Sequence, residues 1–100
     1  MNKCTEFAVF QVDKKNVGQA IKLSEAIFSE MNREVKVITS SNVLIKTDNP
    51  EEVCWHLEWV SAEVAKSTTA KWPSFPSTKE FQDIIVKDLY YGHFINAIKA

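Results

Sequence analysis

Thr5 to Val12, TEFAVFQV, is the stretch on which the fold turns. Alternation places Phe7 and Val9 on one side and Ala8, Phe10 and Val12 on the other, so both sides are apolar. A strand apolar on both faces is interior to its sheet. A second stretch of the same kind, Glu51 to Val60 (EEVCWHLEWV), sets Val53, Trp55, Leu57 and Trp59 against Cys54, His56, Glu58 and Val60. Both of these strands are expected at the centre of one sheet.

Working outward, Asp13-Lys14-Lys15 breaks the first strand. Asn16 with Gln19 then reads as a capping box, opening a helix whose stripe is Val17, Ala20, Ile21, Ile27, Phe28 and Met31. Val35, Val37 and Ile38, the polar Thr39–Asn42 and then Val43-Leu44-Ile45 fit either one long bulged strand or a hairpin of two short ones. Thr47-Asp48-Asn49-Pro50 is a turn, with Pro50 ending the ladder. Ser61 caps a second helix that Pro73 must stop or kink. Ser77 and Glu80 form another capping box, opening a helix with a stripe of Phe81, Ile84 and Ile85, and Leu89–Ile98 reads as the last strand.

The order is βαββαβ with the second helix broken near Pro73. Right-handed crossovers turn it into a ferredoxin-like α+β fold. Its four-stranded antiparallel sheet has the order 4-1-3-2, with helices on one face, and residues 1–100 make a single domain. The other face is then uncovered. At about 3.3 Å per residue and 4.8 Å between strands it measures about 350 Å², the upper end of what a monomer exposes. A homodimer through this face is expected. Two such faces bury only about 700 Å², so the second strand and the C-terminal tail should join in to reach the roughly 1,200 Å² of a specific interface.

Composition narrows the classes. The chain of 100 residues has 12 Lys+Arg against 13 Asp+Glu and a net charge of -1, so nothing favours nucleic acid. No apolar run approaches the roughly 18 residues of a membrane span, and no signal peptide is read at the start, which makes the cytoplasm the expected location. Cys4 and Cys54 form no CxxC pair. They are expected as free thiols about 20 Å apart along antiparallel strands, beyond the about 7 Å between Cα atoms that a disulfide spans.

The run Trp59-Val60-Ser61-Ala62-Glu63-Val64-Ala65 and the later Trp72-Pro73-Ser74-Phe75 resemble the dimeric α+β barrel superfamily, and especially the antibiotic biosynthesis monooxygenase-like proteins. The resemblance covers nearly the whole chain in order and length. It implies a homodimer whose sheets form a barrel, with a pocket in each subunit between sheet and helices. Members include oxygenases that need no metal or flavin, haem-degrading enzymes and many proteins of unknown activity. Trp59 matches the tryptophan that borders the pocket, and Phe75 the aromatic after the helix-two proline. Two positions depart from the pattern. Thr68 stands where many relatives have a helical histidine, and Glu58 precedes Trp59 where the haem-degrading pattern has Asn.

Candidate catalytic residues are His56 and Glu58, two apart on one strand face, and Tyr91 and His93 in the last strand. A histidine near a carboxylate can act as a base, and equally such groups pair as buried structural polars. Trp59, Trp72 and Phe75 are the candidate ligand pocket, with core packing as the competing account and Trp72 marked by a ring N–H that needs a partner. The histidines have no third ligand in sequence, so no metal and no cofactor are expected. Three functions fit: a cofactor-independent monooxygenase-like enzyme on a small aromatic or enolisable substrate, a non-catalytic binder of an apolar ligand, and a structural or interaction homodimer. A cavity would eliminate the third, and ionisable groups on its wall would favour the first over the second.

Overall fold

The computed structural model describes residues 3–98. The strands are β1 (Cys4–Val12), β2 (Ile38–Lys46), β3 (Asn49–Trp59) and β4 (Ile85–Ile95), and the helices α1 (Val17–Met31), α2 (Ala62–Thr69) and α3 (Thr78–Ile84). They form one antiparallel sheet in the order β2-β3-β1-β4, with β1 and β3 inside. This is the expected ferredoxin-like topology. β2 is one strand with a register shift between Ile38 and Ser40, which decides between the two readings of that segment.

One face of the sheet carries the helices and the core. Ala8 and Val12 of β1, Val53, Trp55, Leu57 and Trp59 of β3, Ala20, Ile27 and Phe28 of α1, Ala65 of α2 and Phe81 of α3 are all buried there. Phe10 joins them, packing edge to face on Trp55 and Phe81 at 5.1 and 5.2 Å between ring centres. The opposite face holds Phe7, Val9, Cys54, His56, Leu44, Tyr90 and Phe94 by register. Cys4 and Cys54 are free thiols, as expected.

Four local readings need correction. Neither capping box closes on its own helix. Gln19 Nε2 instead donates to Glu80 Oε2 at 2.7 Å, and Ser77 donates through its backbone N (3.0 Å) and its hydroxyl to the Glu30 carboxylate. The groups expected to cap α1 and α3 separately staple the two helices together, because each carboxylate meets a donor on the neighbouring helix. At the other end of α1, Val35 is exposed in a loop and β2 starts only at Ile38. The Asn32 side chain accepts from the backbone N of Val37 (2.9 Å) and Ile38 (2.8 Å), holding those groups before the ladder begins. Pro50 lies in the first residues of β3, with Lys46 paired to Asn49. Finally, β4 takes in Ile85, assigned above to the helix stripe, and stops at Ile95 rather than Ile98.

The helix break is built from side chain to backbone. α2 has its Ser61 cap, which accepts from Val64 N at 3.2 Å. After α2, Trp72–Ser74 makes a short 3₁₀ turn with Pro73 in its first positions. Thr78 Oγ1 lies 2.9 Å from both the Trp72 and the Phe75 carbonyl, tying that turn to the start of α3. The chain thereby leaves α2, holds the Trp72 ring against the sheet and re-enters helix.

Candidate functional site

A cavity of about 410 Å³ lies between the helix-covered face and α2 and α3, a size within the range of small-molecule sites. Aromatic rings make up a large part of its wall. Trp55 packs 5.1 Å from Phe81 and 6.1 Å from Trp72, and Trp59 and Tyr91 extend the wall toward β4. Trp59 and Trp72 therefore stand where a pocket-lining residue would. Phe75 packs against the core and is not part of the cavity wall. Buried Thr68 occupies the α2 position noted above, and the neighbouring Thr69 lines the cavity.

The three tryptophans differ in what their ring N–H finds. Trp55 donates to Ser24 Oγ of α1 at 2.8 Å, and that hydroxyl in turn donates to the Ala20 carbonyl at 2.7 Å. Trp59 donates to Glu6 Oε1 at 3.1 Å. Trp72 Nε1 is the one buried side-chain N or O atom without a partner among the described residues.

No motif marks Glu6 in the sequence. It sits in phase with Ala8 and Val12, on the inward face of an interior strand, and is only 3% exposed. That phase was the available signal, since a charged residue is buried in such a place only with partners or a purpose. The partners are on the page: Oε1 takes Trp59 Nε1, and His93 Nε2 lies 2.8 Å from the same oxygen. Burial raises the Glu6 carboxyl above its ordinary range, and the bonds from His93 and Trp59 only partly offset it. Oε2 takes no bond among the described residues, and it belongs to a residue on the cavity wall.

Tyr91 and His93 are brought together, the tyrosine hydroxyl lying 2.9 Å from His93 Nε2. As an N–H, Nε2 donates to Glu6 and Tyr91 in alternation or through a forked bond, and in the other ring tautomer it accepts from the tyrosine hydroxyl. Burial raises the Tyr91 phenol, and the nearby Glu6 carboxylate raises it further. His56 and Glu58 are not part of this group. They face the opposite side of the sheet, where His56 stacks on Phe7 at 4.7 Å with rings 3° from parallel and Glu58 lies 3.9 Å from Lys3 Nζ. Among the described residues no three His, Cys, Asp or Glu converge as a metal set would require.

No protein-family model matches the chain, and no curated protein matches it in sequence. Solved structures do match in fold. A cofactor-independent oxygenase from Streptomyces nogalater aligns over 99% of this chain and 97% of its own, with TM-score 0.79 and 11% identity. A protein from Bordetella bronchiseptica that provisionally bears the name antibiotic biosynthesis monooxygenase aligns over 98% and 100%, with TM-score 0.76 and 9% identity. A conserved protein from Methanosarcina mazei aligns over 99% and 95%, with TM-score 0.70 and 17% identity. The chain has the fold of the antibiotic biosynthesis monooxygenase-like proteins, a ferredoxin-like α+β fold with one four-stranded antiparallel sheet and its helices on one face.

Proposed function

We propose that the chain is a cofactor-independent monooxygenase-like enzyme that takes a small aromatic or enolisable substrate in the cavity, and that it works as a homodimer. The observation that carries this reading is a cavity lined by aromatic rings with ionisable groups on its wall, Tyr91 and the buried Glu6 among them. A passive binder of apolar ligands gains nothing from a buried carboxylate, whose burial costs free energy. Likeness of fold to a cofactor-independent oxygenase supports the reaction class.

The chemistry asks little of the protein beyond binding and a base. An activated methylene loses a proton, and the resulting carbanion reduces dioxygen. One oxygen atom becomes the new carbonyl and the other leaves as water, so CH2 + O2 gives C=O + H2O. The rings exclude water and hold a flat substrate, while the carboxylate accepts the proton.

The homodimer is supported by the uncovered face. Phe7, Leu44, Tyr90 and Phe94 share it and are 36, 46, 49 and 46% exposed. So many large apolar side chains on one side of a sheet mark an interface. A second copy laid face to face would cover them all. No helix among the described residues is long and apolar enough to cross a membrane.

The test is a thermal-shift screen of small hydroxyarenes and aryl ketones, followed by oxygen uptake with each stabilising compound. Stabilisation with oxygen uptake supports the enzyme. Stabilisation without it leaves a binder, and no stabilisation by any compound removes the small-molecule reading.

A further inference from the structure

The polar residues of the site are arranged in a line with two ends. Glu6 lines the cavity and not the open depression beside it, which is bounded by Lys66, Ala70 and His93. His93 lines the depression and not the cavity. Thr69 and Tyr91 belong to both and form the partition between them. Across that partition the contacts run from Glu6 Oε1 to His93 Nε2 at 2.8 Å and from His93 Nε2 to the Tyr91 hydroxyl at 2.9 Å. The Glu6 side chain is 4% exposed and that of His93 24%.

We propose that Glu6 is the proton acceptor of the cavity and that His93 is the group through which the pair returns that proton to water. The proposal rests on the small-molecule reading above and names the acid–base machinery of that site. Trp59 N–H and His93 occupy Oε1 and fix the carboxylate plane, leaving Oε2 for a substrate C–H. In the step, the C–H bond breaks, an Oε2–H bond forms, and the electron pair stays on the substrate as its enolate. The pair recovers its starting charge when the carboxyl O–H bond breaks and its proton passes to Nε2 of His93, while the Nδ1–H bond of the ring breaks to give a proton to water on the depression side. Tyr91 is a positioning residue, its hydroxyl holding the imidazole from the partition. The titratable groups facing Glu6 are His93 and Tyr91 from β4 and Cys4 from its own strand, while β3 offers Trp59, which does not titrate, and α2 offers Thr69 beside Tyr91.

Proton transfer is separable from oxygen chemistry with 2-tetralone, a small aryl-fused ketone whose α-hydrogens exchange through the enolate. Exchange in deuterium oxide under anaerobic conditions, followed by proton NMR, reads the base directly. Ligand-induced thermal shift reads binding. The wild-type chain is expected to bind the ketone and speed its exchange. Glu6→Gln keeps the shape and the Trp59 bond, and should bind the ketone but lose about 10²–10⁴-fold in exchange, the usual worth of a general base. His93→Gln should also bind, with slower exchange, because the abstracted hydrogen goes back to the carbon it left. In the wild type, exchange should rise with pH through the elevated range of the Glu6 carboxyl. Full exchange in Glu6→Gln with binding intact overturns the assignment of Glu6 and leaves the cavity reading standing. Unchanged exchange in His93→Gln overturns the exit path. Absence of ketone binding to the wild type overturns the cavity reading itself, and the acid–base assignment with it.

Discussion

The two faces of the sheet are made by the same strands and follow different rules. On the helix side, β1 and β3 present residues that are almost wholly buried, and their polar side chains have partners: Trp55 bonds Ser24, Trp59 bonds Glu6, and Glu6 meets His93 through Oε1. On the other side Phe7 stacks on His56 at 4.7 Å and meets Phe94 at 6.0 Å, with open surface beyond. The first face is specified by pairing and packing within the chain. The second is specified only by area, and lacks a cover. Substitutions should therefore cost folding stability on one side and association on the other.

The largest effect is expected at the centre of the first face. Trp55 touches Phe10, Phe28, Trp72 and Phe81, so Trp55→Ala should cost about 3–5 kcal/mol in urea unfolding. A loss below about 1 kcal/mol would mean that the cavity beside it lets the core collapse onto the gap. On the second face, Phe94→Asp should leave the unfolding of the protomer little changed while weakening association by about 2 kcal/mol or more, because a carboxylate is buried without a partner. Light scattering should then fall from twice 11.4 kDa to 11.4 kDa at micromolar concentration. A wild-type chain already at 11.4 kDa would end the dimer reading and leave the outer face to another partner.

This contrast also explains what could be read from the residues. β1 and β3 were legible as interior strands because their apolar residues fall on both alternating positions, and the right-handed crossovers of a βαββαβ chain independently give the order that puts those two in the middle. The helix break was legible from Pro73. The capping boxes were not, since Gln19 and Glu80, or Glu30 and Ser77, meet only after α1 and α3 pack side by side. The same holds for the site. Family resemblance marked Trp59 as a pocket residue, and the helix break with its ring N–H marked Trp72, but Glu6 and His93 are 87 positions apart and their contact exists only because β1 pairs with β4. His56 and Glu58, neighbours by alternation, were drawn to the outer face by the phase that carries Trp55 inward.

A smaller effect separates a donor with a partner from one without. Ser24→Ala leaves the Trp55 N–H buried and unanswered and should cost about 1–2 kcal/mol. Trp72→Phe removes a donor that has no partner to lose and keeps an aromatic ring against Phe81. It should change stability far less than Ser24→Ala, even though more atoms are deleted. Equal losses in the two variants would show that ring volume, and not hydrogen bonding, governs this face.

The smallest effect is the most specific, because it appears only as a slope against pH. The folded-state carboxyl of Glu6 is raised above its unfolded value by burial, so the native chain holds that proton to higher pH than the unfolded chain does. The stability linked to this group is present below the unfolded carboxyl range and is lost as pH rises through the elevated folded value. Gln cannot ionise, so Glu6→Gln loses nothing over that interval. The difference in unfolding free energy, mutant minus wild type, should grow as the pH is raised from below the ordinary carboxylate range toward neutrality, and then level off. The His93 and Trp59 bonds limit its size, since both favour the ionised carboxylate. Parallel stability curves across the interval would mean that those two bonds hold the charge as well as water does, and the helix-covered face would then accommodate an ionised group at no cost.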